Sequence, residues 1–345
     1  MKKFFVLFSM IILLGCAQKQ TAAVSTPKNQ WQFVVSGDSR NCGDVVLPEI
    51  AKGTHDAQAQ FYWHLGDFRA MVQIDEDLAH DPLYSSVKSL EQYHQVAWND
   101  FIHNQLEPFG KTPVYLGIGN HETVKKTREE YLSTFKPWLG GDRSKTYFHW
   151  VQNGVDFITL DNASDDQFDA TQLKWFLNLI KADETDSKVK TIVVGMHKAL
   201  PDSISFGHSM SESKNPVSVI SGREAYHALL KAKGMGKNVY VLASHSHFFM
   251  DGTFNTEYWK KHGGILPGWI IGTAGAMRYA LPEKTSDANQ AKTNVYGYLL
   301  ATVDLDHENR IQFEFKEIYE ADVLETVNSH YGKELVHFCF DKNHN

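Results

Sequence analysis

The segment PVYLGIGNHE, residues 113–122, joins an apolar run with the composition of a β-strand to a polar turn. The run is short and rich in residues that favour strands, and it ends at Gly119. Asn120, His121 and Glu122 follow directly. Because amide, imidazole and carboxylate groups bind divalent metals, the segment predicts a strand that carries functional residues at its carboxyl end.

Four other apolar runs end in comparable turns. In chain order these turns are Gly37-Asp38-Ser39-Arg40, Gly66-Asp67, Gly195-Met196-His197 and Ser244-His245-Ser246-His247. With the first segment they offer two Asp, one Asn and four His at predicted strand ends. Each turn alone is a weak signal. Five in this order favour a site for a pair of divalent metals, which suits the hydrolysis of phosphate esters.

Segments with helical composition separate most of these strands, at 45–52, 87–106, 123–135, 170–182 and 221–232. Two apolar runs, 147–151 and 155–160, flank Asn153-Gly154 and predict a β-hairpin. The alternation of strands and helices predicts an α/β fold with functional residues at the carboxyl ends of strands. Residues 31–320 are expected to form one domain, and 321–345 an extension packed on it or trailing from it.

The overall composition limits the classes of partner. The chain has 345 residues, a hydrophobic content of 42% and a formal net charge of −7, so it contains enough apolar material for a large core. Beyond the first residues no block of Lys and Arg stands out, which argues against non-specific nucleic-acid binding through a basic face. A small phosphate ester is compatible with this charge as a substrate.

The N-terminus has the pattern of a processing signal. Lys2 and Lys3 precede an apolar stretch, 4–14, that is too short to span a bilayer comfortably. Leu13-Leu14-Gly15-Cys16 then resembles a bacterial lipobox, which predicts a signal peptide over 1–16 that ends at a lipidated cysteine. The alternative is an ordinary cleaved secretory signal with an incidental cysteine.

Lipidation of Cys16 would give the protein a membrane anchor in a bacterial cell envelope. Ala17 follows the cysteine, where an Asp would be the retention signal, and this resembles the sorting of Gram-negative lipoproteins to the outer membrane. The predicted location is therefore the outer membrane, facing the periplasm. Residues 17–30 are polar and are expected to form a flexible tether.

Cys42 and Cys339 are the two cysteines of the body. An oxidising compartment permits a disulfide between them, but the sequence cannot establish one because geometry decides. Two free thiols are the favoured expectation, and a bridge is the alternative.

The order of the five turns resembles the pattern of the calcineurin-like metallophosphoesterase superfamily: DxH, GDxx, GNH followed by D or E, a lone H, and GHxH. The resemblance covers about residues 31–318. It implies an α/β fold, a double β-sheet sandwich flanked by helices (α/β/β/α). It also implies two divalent ions (Mn, Zn or Fe) and hydrolysis of a phosphomonoester or phosphodiester by direct attack of metal-bound hydroxide.

The resemblance also implies roles for individual residues. Asp67 would bridge both metals and is thereby catalytic, and His121 would contact the phosphate and protonate the leaving oxygen. Glu122 would orient its neighbours. The implied metal ligands are Asp38, Asp67, Asn120, His197, His245 and His247.

Arg40 departs from the pattern, because it stands where DxH has its histidine and a guanidinium has no lone pair for a metal. Three interpretations are open: Arg40 binds a substrate phosphate oxygen, it pairs with a carboxylate outside the site, or it marks a weak or vacant first metal site. Cys42 as a substitute ligand is a further alternative. Purple acid phosphatases also lack that histidine but supply a Tyr at the position of Ala70, so their iron–tyrosinate site is not expected.

A rival interpretation of the whole chain is a non-catalytic envelope lipoprotein, for binding or assembly, on the same fold with a weakened metal site. Arg40 is the feature that favours it.

Two further histidines of interest, His64 and His208, are not among the implied ligands. His64 is expected to be structural, and His208, in the polar stretch 201–216, is expected either to touch substrate or to be a solvated loop residue.

Overall fold

The computed structural model describes residues 29–164, 166–212, 215–327 and 331–345. The predicted signal peptide, the lipidation site at Cys16 and nearly all of the predicted tether lie outside the described residues. Within the described ranges, no helix has both the length and the apolar character needed to cross a bilayer.

The described residues form two β-sheets and a set of helices. The strands are β1 Gln30–Ser36, β2 Tyr62–His64, β3 Val114–Leu116, β4 Phe148–Gln152, β5 Val155–Thr159, β6 Thr191–Met196, β7 Asn238–Ala243, β8 Phe249–Asp251, β9 Gly268–Ile271, β10 Gln290–Lys292, β11 Tyr296–Asp304 and β12 Arg310–Ile318. The α-helices are α1 Gly43–Asp56, α2 Glu76–His80, α3 Leu90–Asp100, α4 Arg128–Phe135, α5 Ala170–Thr185, α6 Pro216–Gly234, α7 Glu257–Lys261, α8 Glu320–Thr326 and α9 Lys333–Asp341.

The first sheet has the strand order β12-β11-β1-β2-β3, and the second has the order β10-β8-β9-β7-β6-β5-β4. Strands β1, β2 and β3 run parallel, as do β5, β6, β7 and β9. Strands β4 and β5 pair antiparallel around Asn153-Gly154, which confirms the predicted hairpin. Each parallel set brings the carboxyl ends of its strands to one edge of its sheet.

The two sheets pack face to face through alternate residues of their strands. Trp31, Phe33 and Val35 of β1 are buried against the second sheet, because side chains two apart in a strand share a face. The rings of Phe33 and Phe157 meet edge to face with centroids 5.1 Å apart. Burial of side chains of this size contributes about 1.5–3 kcal/mol each.

Helices cover the outer face of both sheets. Helices α1, α4, α8 and α9 pack on the first sheet, and α5, α6 and α7 pack on the second. The layers are therefore helix, sheet, sheet, helix. The predicted α/β/β/α sandwich is confirmed.

The favoured expectation of two free thiols is wrong, because Cys42 and Cys339 form a disulfide with Cα atoms 6.0 Å apart. Cys42 directly precedes α1, and Cys339 lies in α9 near the C-terminus. The Arg278 guanidinium also holds this segment by donating to the carbonyls of Cys339 (3.1 Å) and Asn343 (3.1 Å). The sulfur of Cys42 is therefore committed to the bridge and is not a substitute metal ligand.

Replacement of Cys339 by Ala should lower the free energy of unfolding by about 2–5 kcal/mol, because the bridge closes a loop across a sequence separation of 297. Denaturant unfolding with and without reductant measures the change. Reductant should shift the midpoint of the wild type but not that of Cys339→Ala. Equal midpoints for the wild type under both conditions, with reduction verified by thiol counting, would contradict the prediction.

Candidate metal centre

The residues predicted from the five turns meet where the carboxyl edges of the two sheets come together. The first sheet supplies Asp38 after β1, Asp67 after β2 and Asn120 after β3. The second sheet supplies His197 after β6, and His245 and His247 after β7. Except for Asn120 and His245, which are partly exposed, these side chains are buried.

The backbone takes an uncommon conformation at three of these residues. Asp38, Asp67 and His245 have φ angles of 61°, 60° and 64°, in the left-handed region that disfavours most side chains. Such residues cluster at functional sites, and each stores about 1–3 kcal/mol of strain. The turns are also tied to one another, since the Asp38 amide donates to Gly66 O and His245 N donates to Asp38 Oδ2 (2.6 Å).

Glu122 fixes two of the turns from below. Its buried carboxylate accepts from the amides of Asp67 (2.8 Å), Phe68 (2.8 Å) and Gly119 (2.7 Å). Burial and the nearby charge of Asp67 raise the pKa of Glu122 to about 8. Its contacts place the backbone on which Asp67 and Asn120 stand.

Gly119 allows the turn at Gly119-Asn120 to approach the turn at Gly66-Asp67. A Cβ at this position would fall 2.5 Å from the Asp67 amide nitrogen and closer still to Asp67 Oδ1. Gly119→Ala should therefore displace Asp67 and weaken divalent-ion binding by about 10–100-fold, the usual effect of disturbing the supports of a ligand. Calorimetric titration with Mn²⁺ measures this.

The matched control is Gly234→Ala at the end of α6, where an added Cβ has no neighbour within 4 Å. Its affinity should equal that of the wild type. Unchanged affinity in Gly119→Ala would show that the close approach of the two turns is unimportant.

Asp67, Asn120, His197 and His245 form a compact group, which we call the four-ligand cluster. His197 Nε2 lies 3.2 Å from Asp67 Oδ2, 3.0 Å from Asn120 Oδ1 and 3.1 Å from His245 Nδ1. The facing atoms of Asp67, His197 and His245 all lie within 4.8 Å of one another. Asp67 Oδ2 is buried and accepts no hydrogen bond from the described residues.

The orientation of His197 points Nε2 into the cluster. Its Nδ1 lies 3.1 Å from the carbonyl of Leu65 and donates to it, so Nε2 is the nitrogen that could bind a metal once its own proton is released. Burial lowers the pKa of His197, but the charges of Asp67 and Asp38 outweigh burial and raise the pKa to about 9. The local field thus favours a cation at this point, and carboxylate, amide and imidazole ligands suit a divalent metal.

Asp38 and His247 form a second, smaller group beside the cluster, the Asp38–His247 pair. Asp38 Oδ1 lies 3.2 Å from His247 Nε2 and, among the described residues, has no hydrogen-bond donor. His247 Nδ1 is 2.6 Å from the carbonyl of Met277, so Nδ1 is the donor and Nε2 holds the lone pair.

The Arg40 guanidinium faces this pair and is partly exposed. Its Nη2 donates to His247 Nε2 (3.0 Å) and to the Tyr279 hydroxyl (3.3 Å), so these partners are not carboxylates. Burial lowers the pKa of Arg40, but the charges of Asp67 and Asp38 raise it above its usual value. The contacts do not agree with the interpretation in which Arg40 pairs with a carboxylate away from the site.

His121 lies at the opening of the centre. Its backbone amide donates to Asp67 Oδ1 (2.9 Å), and its Nδ1 hydrogen-bonds the carbonyl of Ala70. Its Nε2 is 3.7 Å from Asp67 Oδ2, and its side chain is 9% exposed. Nε2 is therefore the ring nitrogen left available to a bound molecule.

Three further side chains line the opening. The ring of His208 stands 5.6 Å from that of His245 and 5.3 Å from that of Tyr279, so His208 reaches over the centre. Ligand atoms of His208, Glu212 and His245 lie within 4.8 Å of one another. Sequence reasoning missed Tyr279 and Glu212, which no local motif marks.

His64 is buried against Ser39 Oγ (3.0 Å) and the Gly66 amide (3.1 Å), which agrees with the structural role expected for it.

The chain matches no protein-family profile, and no curated protein is significantly similar in sequence. Solved structures of the same fold do exist. The purple acid phosphatase PPD1 of yellow lupin (Lupinus luteus) is 15% identical with a TM-score of 0.60, over 86% of this chain and 55% of that one. PhoD is 14% identical with a TM-score of 0.53, over 80% and 64%. A dimetal phosphatase from Danio rerio is 11% identical with a TM-score of 0.52, over 83% and 96%.

This chain spans less than two thirds of the length of the first two of these structures. At such low identity the likeness establishes the fold. It leaves the roles of the individual site residues as predictions.

Proposed function

We propose that this chain is a metal-dependent phosphoesterase of the calcineurin-like superfamily. The observation that carries the proposal is the four-ligand cluster, in which possible metal-ligating atoms of four buried or partly buried side chains converge, with the other three 3.0–3.2 Å from His197 Nε2. A phosphomonoester or a phosphodiester of small size is the expected substrate. The solved structures of the same fold support the proposal, since two are described as phosphatases and one of these as dimetal.

Bound divalent ions would supply positive charge that stabilises the phosphate, and they would lower the pKa of a bound water to near neutrality. His121 is placed to hand a proton to the leaving oxygen through Nε2, because its Nδ1 is held by Ala70. Arg40 is placed to hold a phosphate oxygen. Its Nε is buried without a partner among the described residues, and a guanidinium fork matches a phosphate well.

The rival function is a non-catalytic envelope lipoprotein for binding or assembly. The four-ligand cluster speaks against it, because a buried carboxylate oxygen such as Asp67 Oδ2, which has no hydrogen-bond donor among the described residues, is costly and persists where a ligand uses it. The position of His121 beside the cluster speaks against it too. Arg40 alone favours it.

The test is hydrolysis of p-nitrophenyl phosphate and bis-p-nitrophenyl phosphate by chelated protein reloaded with manganese, zinc or iron. Turnover should depend on added metal and should disappear again with chelator. Metal-loaded protein that is inactive on both compounds and on a broad panel of phosphate esters would refute the enzyme and leave the rival.

We also propose that a lipid on Cys16 anchors the protein to the outer membrane, facing the periplasm. The lipobox Leu13-Leu14-Gly15-Cys16 supports the lipid anchor, and Ala17 after the cysteine supports sorting to the outer membrane. Cys16→Ser should move the protein from the membrane fraction to the soluble fraction, as measured by fractionation and immunoblotting. Equal membrane association of Cys16→Ser and wild type would contradict the anchor.

A further inference from the structure

The lone pair of His247 Nε2 already has a partner. His247 Nδ1 donates to the carbonyl of Met277, so Nε2 accepts the hydrogen bond from Arg40 Nη2 at 3.0 Å. An imidazole nitrogen has one lone pair in the ring plane, and a hydrogen bond uses the same lone pair that a metal would need. A metal ion at His247 therefore requires Arg40 to leave.

The Asp38–His247 pair also offers few ligands. Position 40 follows Asp38 closely but supplies a donor group that cannot ligate. Arg40 brings a permanent positive charge to a place where Asp38 Oδ1 lies 3.2 Å from a lone pair. The guanidinium thus provides the charge that an ion would otherwise provide.

The four-ligand cluster differs in both respects. It contains four ligand groups, and among the described residues no Lys or Arg side chain donates to their facing atoms. The two halves of the centre are therefore unequal. The four-ligand cluster is open to a metal ion, whereas the Arg40 guanidinium occupies the position beside the Asp38–His247 pair.

From this inequality we infer that the chain holds a single divalent ion, in the four-ligand cluster, and that the Arg40 guanidinium takes the place of a second ion at the Asp38–His247 pair. The inference rests on the metal binding in the proposed function. It replaces the expectation of two ions with a centre of one ion and one arginine.

The experiment measures how many ions the full chain holds. Chelated protein is reloaded with excess Mn²⁺, freed of unbound metal, and measured by elemental analysis and by electron paramagnetic resonance. The wild type should contain one Mn²⁺ per chain and show the spectrum of an isolated ion. Arg40→His, which supplies a ligand and releases His247, should contain two ions with a spin-coupled spectrum.

Two other variants make the result specific. Arg40→Ala releases His247 without adding a ligand, so its second ion should bind more weakly than that of Arg40→His. Arg143→His adds a histidine at an exposed position and should keep one ion. Circular dichroism shows whether each variant is folded.

The outcomes separate this inference from the proposed function. Two coupled ions in the wild type would overturn the inference and leave the phosphoesterase intact. One ion in the wild type, with no gain in either folded Arg40 variant, would overturn the role given to Arg40. No ion in the wild type would overturn both the inference and the metal-dependent function.

Discussion

Asp67→Asn should reduce metal-dependent hydrolysis of p-nitrophenyl phosphate about a thousandfold, which corresponds to about 4 kcal/mol of transition-state stabilisation. The reason is loss of the buried negative charge in the four-ligand cluster, where Asp67 Oδ2 accepts no hydrogen bond from the part of the chain that the structure describes. Asn is the informative choice because it tolerates the φ of 60°. Its side-chain carbonyl can also keep the bond from the His121 amide.

The measurement pairs steady-state hydrolysis with metal content, and both should fall in Asp67→Asn. The matched control is Asp169→Asn. Asp169 caps α5 by accepting from the amides of Thr171 and Gln172, a task that Asn performs equally well. Normal turnover by Asp67→Asn with a full metal load would refute its assigned role.

His121→Ala should lower kcat by about 10²–10⁴-fold, the usual contribution of a positioned general acid. Metal content should stay at the wild-type value, since His121 is not expected to ligate. The hydrogen bond from its backbone amide to Asp67 also survives the substitution. The loss should be larger for an alkyl phosphate than for p-nitrophenyl phosphate, because an alkoxide needs a proton to leave more than a nitrophenolate does.

This dependence on the leaving group distinguishes proton donation from a purely structural role. The control His103→Ala removes an exposed histidine of the π-helical segment after α3, paired with Glu107, and should leave both substrates unaffected. Equal losses on both substrates would argue that His121 positions the phosphate and does not protonate the leaving group.

The sequence predicts the positions of the candidate ligands well where its signal is local. An apolar run followed by a tight polar turn can be recognised in a single strand, and this places Asp38, Asp67 and Asn120 without knowledge of the rest. Their convergence follows from topology, because parallel neighbours end at the same edge.

Helix boundaries are harder to predict than strand ends. The helix predicted at 123–135 begins only at Arg128, because Thr127 and Glu130 form a capping box that starts α4 there. Residues His121–Thr123 form a separate tight turn. The sequence thus contains the capping signal, but the apolar periodicity that extends before it is stronger.

Contacts between distant parts of the chain could not be predicted. Arg40 meets Tyr279 across 239 positions, and no local pattern connects them. The buried Arg69 is a second example, with its guanidinium held by Asp44 (2.5 Å) and Asp77 (2.8 Å). Its sequence context does not distinguish it from a surface arginine. The disulfide belongs to the same class, since packing alone decides which cysteines meet.

The division of the four-ligand cluster between the sheets has a mechanical consequence. Asp67 and Asn120 stand on one sheet, and His197 and His245 on the other. An ion in the cluster would therefore link the two sheets across their interface, and neither sheet alone supplies all four of its ligands. At a free-ion concentration 100 times the Kd, the ion would raise the free energy of unfolding by about 2.7 kcal/mol. Metal binding should therefore make both sheets unfold in a single, sharper thermal transition. In the metal-free chain the two sheets should separate more readily at their interface.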